Sequence, residues 1–222
     1  MKLPVTAHGS REILLAATAS LGAGAALWAV WPPLSALAAL AFLYVLAFFR
    51  DPVRVPEEMP LPDGALLSPA DGKVDFIGEC DEPLMGGRCR KISIFLSVFD
   101  VHLNRAPCFG RVEKIEYREG EYLDARDGEC SARNEANSLV ITSQAAGGEP
   151  VRLMVRQISG AIARRIVCTP REGDELASGQ DIGMIKFGSR TEVCVPLEHE
   201  VNLRIRLGQH VAAGRTLLGV VR

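Results

Sequence analysis

The sequence predicts a mainly β domain of barrel-sandwich type behind an N-terminal apolar helical hairpin. Three observations lead there. Ile13–Trp31 and Leu34–Phe49 are uncharged runs of 19 and 16 residues, separated by Pro32-Pro33. Beyond Pro62, short β-branched or alternating runs are set apart by Gly, Pro, Asp and Asn, the pattern of brief strands and tight turns. Finally, the spacing Gly-x-x-aliphatic-small-small-Gly occurs at Gly173–Gly179 and again at Gly208–Gly214. Each copy precedes a strand-like run, so the chain is expected to reverse through glycines of positive φ.

As helices, the two apolar runs would extend roughly 28 Å and 24 Å, one near the hydrocarbon thickness and one slightly short of it. A secretory signal would show one shorter apolar core and a cleavage site, so this segment is expected to stay attached. Lys2 and Arg11 precede the first run, and Arg50 and Arg54 follow the second. The positive-inside rule therefore places both ends in the cytoplasm and the protein on the cytoplasmic face of the cell membrane. A re-entrant hairpin is the alternative within the membrane. A buried hairpin of a soluble core is the alternative outside it, but neither run carries a polar stripe.

Residues 1–50 thus form the membrane-associated hairpin, and 51–62, with four prolines, an extended linker. Residues 63–222 form the β-rich domain. Its expected strands lie at 73–77, 91–96, 111–117, 138–142, 151–155, 184–187, 192–195 and 201–206. Gly160–Val167 alone has a helical pattern, about two turns long. The strand entry Pro69-Ala-Asp-Gly-Lys-Val74 is similar to that of lipoyl- and biotinyl-carrier folds, although no prosthetic-group lysine turn accompanies it.

A formal charge of −2, and the absence of any basic patch interleaved with aromatics, argue against nucleic acid as a partner. The six cysteines form no C-x-x-C pair, so zinc-type spacing is absent and no metal is expected. In a reducing cytoplasm they are expected to be small core residues.

Gly188-Ser189 is the dipeptide with chemical content. A serine hydroxyl attacking the preceding carbonyl converts the peptide to an ester, and elimination followed by hydrolysis leaves a pyruvoyl ketone. The dipeptide alone reads as an ordinary turn between two strands, so its surroundings decide. These are Phe48-Phe-Arg-Asp-Pro52, Ser68-Pro-Ala-Asp-Gly-Lys73, Phe95-Leu-Ser-Val-Phe-Asp-Val-His-Leu-Asn-Arg-Ala-Pro107, Val155-Arg-Gln-Ile-Ser-Gly160, Ala163-Arg-Arg-Ile-Val-Cys168 and Lys186-Phe-Gly-Ser-Arg190. In this combination and order the chain resembles the short form of phosphatidylserine decarboxylase from about Phe48 to its C-terminus.

That resemblance implies self-cleavage between Gly188 and Ser189 into a β chain, 1–188, and an α chain, 189–222, which remain together as a heterodimer. It implies a covalent pyruvoyl group derived from Ser189, which forms a Schiff base with phosphatidylserine and yields phosphatidylethanolamine. Asp71 and His102 match the family's acid and imidazole, with His102 as the proton donor after CO2 is lost. The longer family form has His-x-x-His where this chain has His102 and Arg105, leaving open which group activates Ser189; the economical reading gives His102 both tasks. Arg105, Arg190 and Arg164-Arg165 are candidates for the lipid phosphate, of which Arg105 is preferred. His8, His199 and His210 have no partner motif. Two rival readings are an uncleaved membrane-tethered barrel-sandwich adaptor without enzymatic activity, and a pyruvoyl decarboxylase of a soluble amino acid.

All the residues proposed for cleavage lie beyond the hairpin. A chain lacking residues 1–47 is therefore expected to cleave at the same bond while losing much of its turnover on bilayers and keeping more on dispersed short-chain lipid. Membrane partitioning and bilayer rates equal to those of the full chain would remove the anchoring role of Ile13–Phe49.

Overall fold

The computed structural model describes residues 4–161, 165–186 and 189–222, and they divide into two compact units, Met1–Val53 and Arg54–Arg222. In the first unit α1, Ser10–Val30, and α2, Ser35–Phe48, pack against each other across the turn Pro32–Leu34. Pro32 and Pro33 stand at the start of that turn, where their missing N–H groups cost nothing. The hairpin is clasped at its base: Thr6 N–H donates to the Phe49 carbonyl at 2.8 Å and Asp51 N–H to the Pro4 carbonyl at 2.8 Å.

The stretch Ala7–Val30 contains an 18-residue window of mean hydropathy 1.8 and is long and apolar enough to cross a membrane. At 1.5 Å per residue α2 reaches only about 21 Å, short of the roughly 30 Å of a hydrocarbon core.

The second unit is mainly β, with fourteen strands among the described residues. In chain order they are β1 Ala65–Leu67, β2 Gly72–Glu82, β3 Gly87–Leu96, β4 Leu103–Arg105, β5 Gly110–Arg118, β6 Ala136–Gln144 and β7 Pro150–Ile158. Then follow β8 Ile166–Cys168, β9 Glu175–Leu176, β10 Asp181–Ile185, β11 Ser189–Pro196, β12 Val201–Leu203, β13 His210–Val211 and β14 Leu217–Val221. One short helix, α3, spans Cys130–Arg133. The principal sheet has the order β13-β2-β3-β11-β7-β6-β5-β9, and two three-stranded sheets, β1-β14-β12 and β4-β10-β8, complete the sandwich.

The principal sheet buries Ile92, Ile94, Leu96, Leu139, Ile141, Leu153, Val155, Val193 and Val195 in the main core. Directly paired residues share a face, so the alternate residues of the same strands form the outer side. That side is covered too: Met85, Cys89, Val140, Met154 and Cys194 make a second apolar cluster there. Strand β11 is consequently buried along nearly its whole length. The six cysteines are free thiols, four of them buried, and burial pushes Cys108 up to about 11.

The paired glycine spacing marks a structural repeat wider than the two loops. Val74 N–H donates to Gln209 O at 2.9 Å, and Val112 N–H donates to Asp174 O at 2.9 Å. Gly208 N–H reaches Val74 O and Gly173 N–H reaches Val112 O, at 2.7 and 2.8 Å; Gly214 N–H reaches Ser68 O and Gly179 N–H reaches Ala106 O, both at 2.8 Å. Each loop therefore embraces a strand entry, Pro69-Ala-Asp-Gly-Lys-Val74 or Pro107-Cys-Phe-Gly-Arg-Val112, and supplies one edge strand of the principal sheet, β13 or β9. All four glycines have positive φ, as the spacing implies.

The helical expectation over Gly160–Val167 is corrected in part. Ile166–Cys168 is strand β8, paired with β10, and residues 162–164 lie outside the described residues. Ile166 and Val167 are β-branched and find a free strand edge there, which outweighs a short helical period. The strand expected at 201–206 ends at Leu203.

The two loops meet at Gly179 and Gly214. A Cβ on Gly214 would lie 2.9 Å from Arg105 Cδ and 3.3 Å from Gly179 Cα, at φ +65°. Gly214→Ala is therefore expected to destabilise the fold by about 1–3 kcal/mol, read as a lower urea midpoint at unchanged slope.

Candidate functional site

The site lies where the chain passes from one sheet to another. Strand β10 belongs to the three-stranded β4-β10-β8 sheet and ends at Ile185; β11 begins at Ser189 in the centre of the principal sheet. Gly188 lies outside the described residues.

Ser189 is fully buried, and its Oγ has no hydrogen-bond partner among the described residues. Its ladder partner is Leu96 on β3, and Thr191 and Val193 follow on the same face, so the hydroxyl belongs to the core face. A buried hydroxyl without a partner costs stability, about 1–3 kcal/mol, and such a cost is common where a group is kept for chemistry.

His102 immediately precedes β4 and is fully buried. Its Nδ1 lies 3.0 Å from the Asp100 carbonyl, and its own carbonyl accepts Ile185 N–H at 3.3 Å. The segment from Leu96 to His102 thus begins beside Ser189 and ends beside Ile185. It spans the two sides of the candidate cleavage point.

Asp71 sits just before β2. Its Oδ1 accepts Ala213 N–H at 2.8 Å and its Oδ2 pairs with Arg54 Nη2 at 2.6 Å. In the second half of the repeat Phe109 occupies the equivalent place and is largely exposed. The carboxylate is thus a departure from the repeat, held by a partner that the sequence reading treated only as a charge flanking the hairpin.

Arg105 donates Nη1–H to Gly179 O at 3.0 Å and packs at the meeting of the two repeat loops. Arg190 points away from Ser189, toward the outer side, where it pairs with Asp75 and donates to Ala125 O at 3.1 Å. Arg165 is exposed, and Arg164 lies outside the described residues.

A chain of buried amides, to which the sequence reading assigned no role, ties these parts together. Asn137, Gln157 and Thr191 are ladder neighbours across β6, β7 and β11. Asn137 Nδ2 donates to Gln157 Oε1 at 3.2 Å, Gln157 Nε2 to Asn104 Oδ1 at 2.9 Å, and Asn104 Nδ2 to Thr191 Oγ1 at 3.1 Å. Asn104 lies on β4, whose backbone pairs with β10. Strand β4 therefore holds β10 by its main chain and β11 by a side chain, gripping both sides of the Gly188-Ser189 junction. The available signals were the place of Thr191 two residues beyond Ser189, hence on its face, and the occurrence of Asn104 and Gln157 inside the quoted motifs.

Among the described residues no three His, Cys, Asp or Glu side chains gather as a metal site. A cleft of about 260 Å3 is lined by Phe95, Leu96, Ser97, Val98, Asp124, Ala125, Arg126 and Ala161, of which Leu96 is the ladder partner of Ser189.

A barrel-sandwich of this architecture, with a buried hydroxyl at a break between sheets, defines a class that the comparisons specify. Residues 42–219 match the family model described as phosphatidylserine decarboxylase. A phosphatidylserine decarboxylase proenzyme of Symbiobacterium thermophilum is 46% identical over 195 residues, covering 87% of this chain and 86% of the relative. One from Geotalea uraniireducens is 44% identical over 191 residues, covering 86% and 85%. One from Geobacter sulfurreducens is 40% identical over 221 residues, covering 98% and 97%. The chain belongs to the phosphatidylserine decarboxylase family, and that membership supports a decarboxylase.

Thr191→Val removes the hydroxyl at constant volume and leaves an Asn104 donor without its partner. Self-cleavage, followed by intact mass, is expected to slow about fivefold, one hydrogen bond's worth. Thr191→Ser should restore it; equal rates in all three chains would deny the amide tie any part in positioning β11.

Proposed function

We propose that the chain cuts itself between Gly188 and Ser189 and then converts phosphatidylserine to phosphatidylethanolamine at the cytoplasmic face of the cell membrane. The observation that carries this reading is the buried Ser189 Oγ, without a partner among the described residues, at the first position of a strand held from both sides. The name proenzyme borne by the relatives agrees with self-processing.

In the first stage Ser189 Oγ attacks the Gly188 carbonyl carbon. Its proton passes to a base, the C–N bond breaks, and the nitrogen of residue 189 takes up a proton, leaving an ester. Removal of the Cα proton of residue 189 expels the Gly188 carboxylate. Tautomerisation and water then release ammonia and leave a ketone. We assign the base to His102, held beside Ile185, with Arg105 standing where the longer family form has its second histidine. Asp71, its carboxylate held by Arg54 and the Ala213 amide, is the acid that matches the family's motif.

The position suits a pyruvoyl group, because residue 189, whose Cα becomes the ketone carbon, is already fully buried at the start of a strand set between β3 and β7. Such a group would supply a ketone that takes up the serine amine and accepts the electron pair released with CO2. His102 then returns a proton to the substrate carbon, and Arg105 offers its guanidinium to the lipid phosphate.

The products of cleavage, a β chain of residues 1–188 and an α chain of residues 189–222, stay together as a heterodimer. Strand β11 lies between β3 and β7 with both ladders intact, so no sheet contact is lost when the bond opens. In this reading residues 1–50 anchor the enzyme, 51–62 link it, and 63–222 carry the chemistry.

Ser189→Ala is expected to give one uncut chain by intact mass and no CO2 from phosphatidylserine; an α chain in that variant would overturn the mechanism. His102→Ala is expected to slow cleavage at least about 100-fold. Normal maturation combined with lost turnover would confine His102 to the decarboxylation stage.

A further inference from the structure

The segment joining Leu96 to His102 carries an apolar tip on a polar base. Asp100 N–H donates to the Ser97 carbonyl at 2.9 Å, closing a turn whose two corner residues are Val98 and Phe99. Asp100 Oδ2 accepts the Ser97 N–H at 2.8 Å and the Ser97 hydroxyl at 2.7 Å. His102 Nδ1 lies against the Asp100 carbonyl, so the imidazole is part of the same base.

Turn corners favour Gly, Pro, Asn and Asp, which the backbone and water both accept. Here they hold a β-branched residue and a phenylalanine, and 74% of Phe99 remains exposed. Folding gains little from a phenyl ring left in water, whereas its transfer to an apolar phase is strongly favourable.

Val98 also lines the cleft of about 260 Å3 whose wall includes Leu96, the ladder partner of Ser189. Phe95, Ala125 and Ala161 make the wall chiefly apolar. Its charged members cancel: Arg126 pairs with Asp124 at 2.6 Å and draws that carboxyl down to about 2. A neutral apolar cleft next to an apolar tip does not suit a free amino acid. It suits the acyl and glycerol part of a lipid.

We propose that the Val98–Phe99 tip is a bilayer contact that enters the acyl-chain boundary, and that the adjoining cleft receives the upper part of one phospholipid, placing its headgroup at the segment that runs from Leu96, the ladder partner of Ser189, to His102. The inference rests on the lipid-decarboxylase reading. It adds a membrane contact within the β-rich unit itself, next to the reacting groups. Aromatic side chains at the headgroup level of bilayers provide the physical precedent.

The test uses the full chain with Trp28→Phe and Trp31→Phe, so that Phe99→Trp supplies a single indole. On phosphatidylcholine vesicles its emission should shift to the blue and be quenched by lipids brominated near the carbonyl end of the acyl chain. In the otherwise native chain, Phe99→Ser should lower the ratio of turnover on phosphatidylserine vesicles to turnover on dispersed short-chain phosphatidylserine about tenfold. Completed self-cleavage by mass shows that the variant has folded and matured. A water-like, unquenched indole on vesicles overturns the proposal, as does an unchanged ratio. So does burial of the indole that follows protein concentration and not lipid, which would point to a second copy of the chain. A parent chain that cleaves yet releases no CO2 from phosphatidylserine would sink the lipid-decarboxylase reading separately, whatever the quenching result.

Discussion

The structure depends on a change of sheet made over three residues. Strand β10 ends at Ile185 in a small sheet and β11 begins at Ser189 in the middle of a large one, so the two strands do not pair with each other. Both ends have to be held by something else. Strand β4 does this with its backbone on one side and the Asn104 amide on the other, while β3 and β7 fix β11 laterally. A reactive peptide bond placed there can be opened without dismantling the fold around it.

The outer side of β11 strengthens this hold by a different kind of interaction. Glu192 is fully buried, accepts the Ser131 hydroxyl at 2.6 Å, and lies 3.3 Å from Lys91 Nζ. Arg156 and Glu82 pair at 2.8 Å nearby. Buried charges contribute little net stability but are costly to separate, so they disfavour any slip of β11 against its neighbours. A slip of one residue would exchange Ser189 and Thr191 for Arg190 and Glu192 on the core face. Register and chemistry are therefore one requirement.

The repeat supplies a scaffold, and two candidate residues, Asp71 and Arg105, lie where its halves differ or meet. Asp71 and Phe109 occupy equivalent places, one bound by Arg54 and the Ala213 amide, the other largely exposed. Arg105 packs where the two repeat loops meet. The apolar turn at Val98–Phe99 lies outside the repeat, and its base is shared with His102.

Much was legible in the linear order of residues, because those signals are local. Uncharged runs around Pro-Pro mark the hairpin, the alternation of β-branched residues marks most strands, and paired glycines mark the turns. The motif set points to Gly188-Ser189, His102 and Asp71 without any structure. The strand at Ile166–Cys168 was hidden, since its stability comes from an edge offered by β10 and not from its own period. The second half of the repeat was hidden too, because Pro-x-x-Gly followed by a basic residue and Val becomes a signal only when both copies make the same bonds to the glycine loops. Asn104, Gln157 and Thr191 are far apart in sequence and become one chain of hydrogen bonds only when three strands and a second sheet converge. Sequence alone determined which groups could react, since that is a property of side-chain chemistry; tertiary structure alone decided which of them face one another, because pairing and burial depend on long-range register.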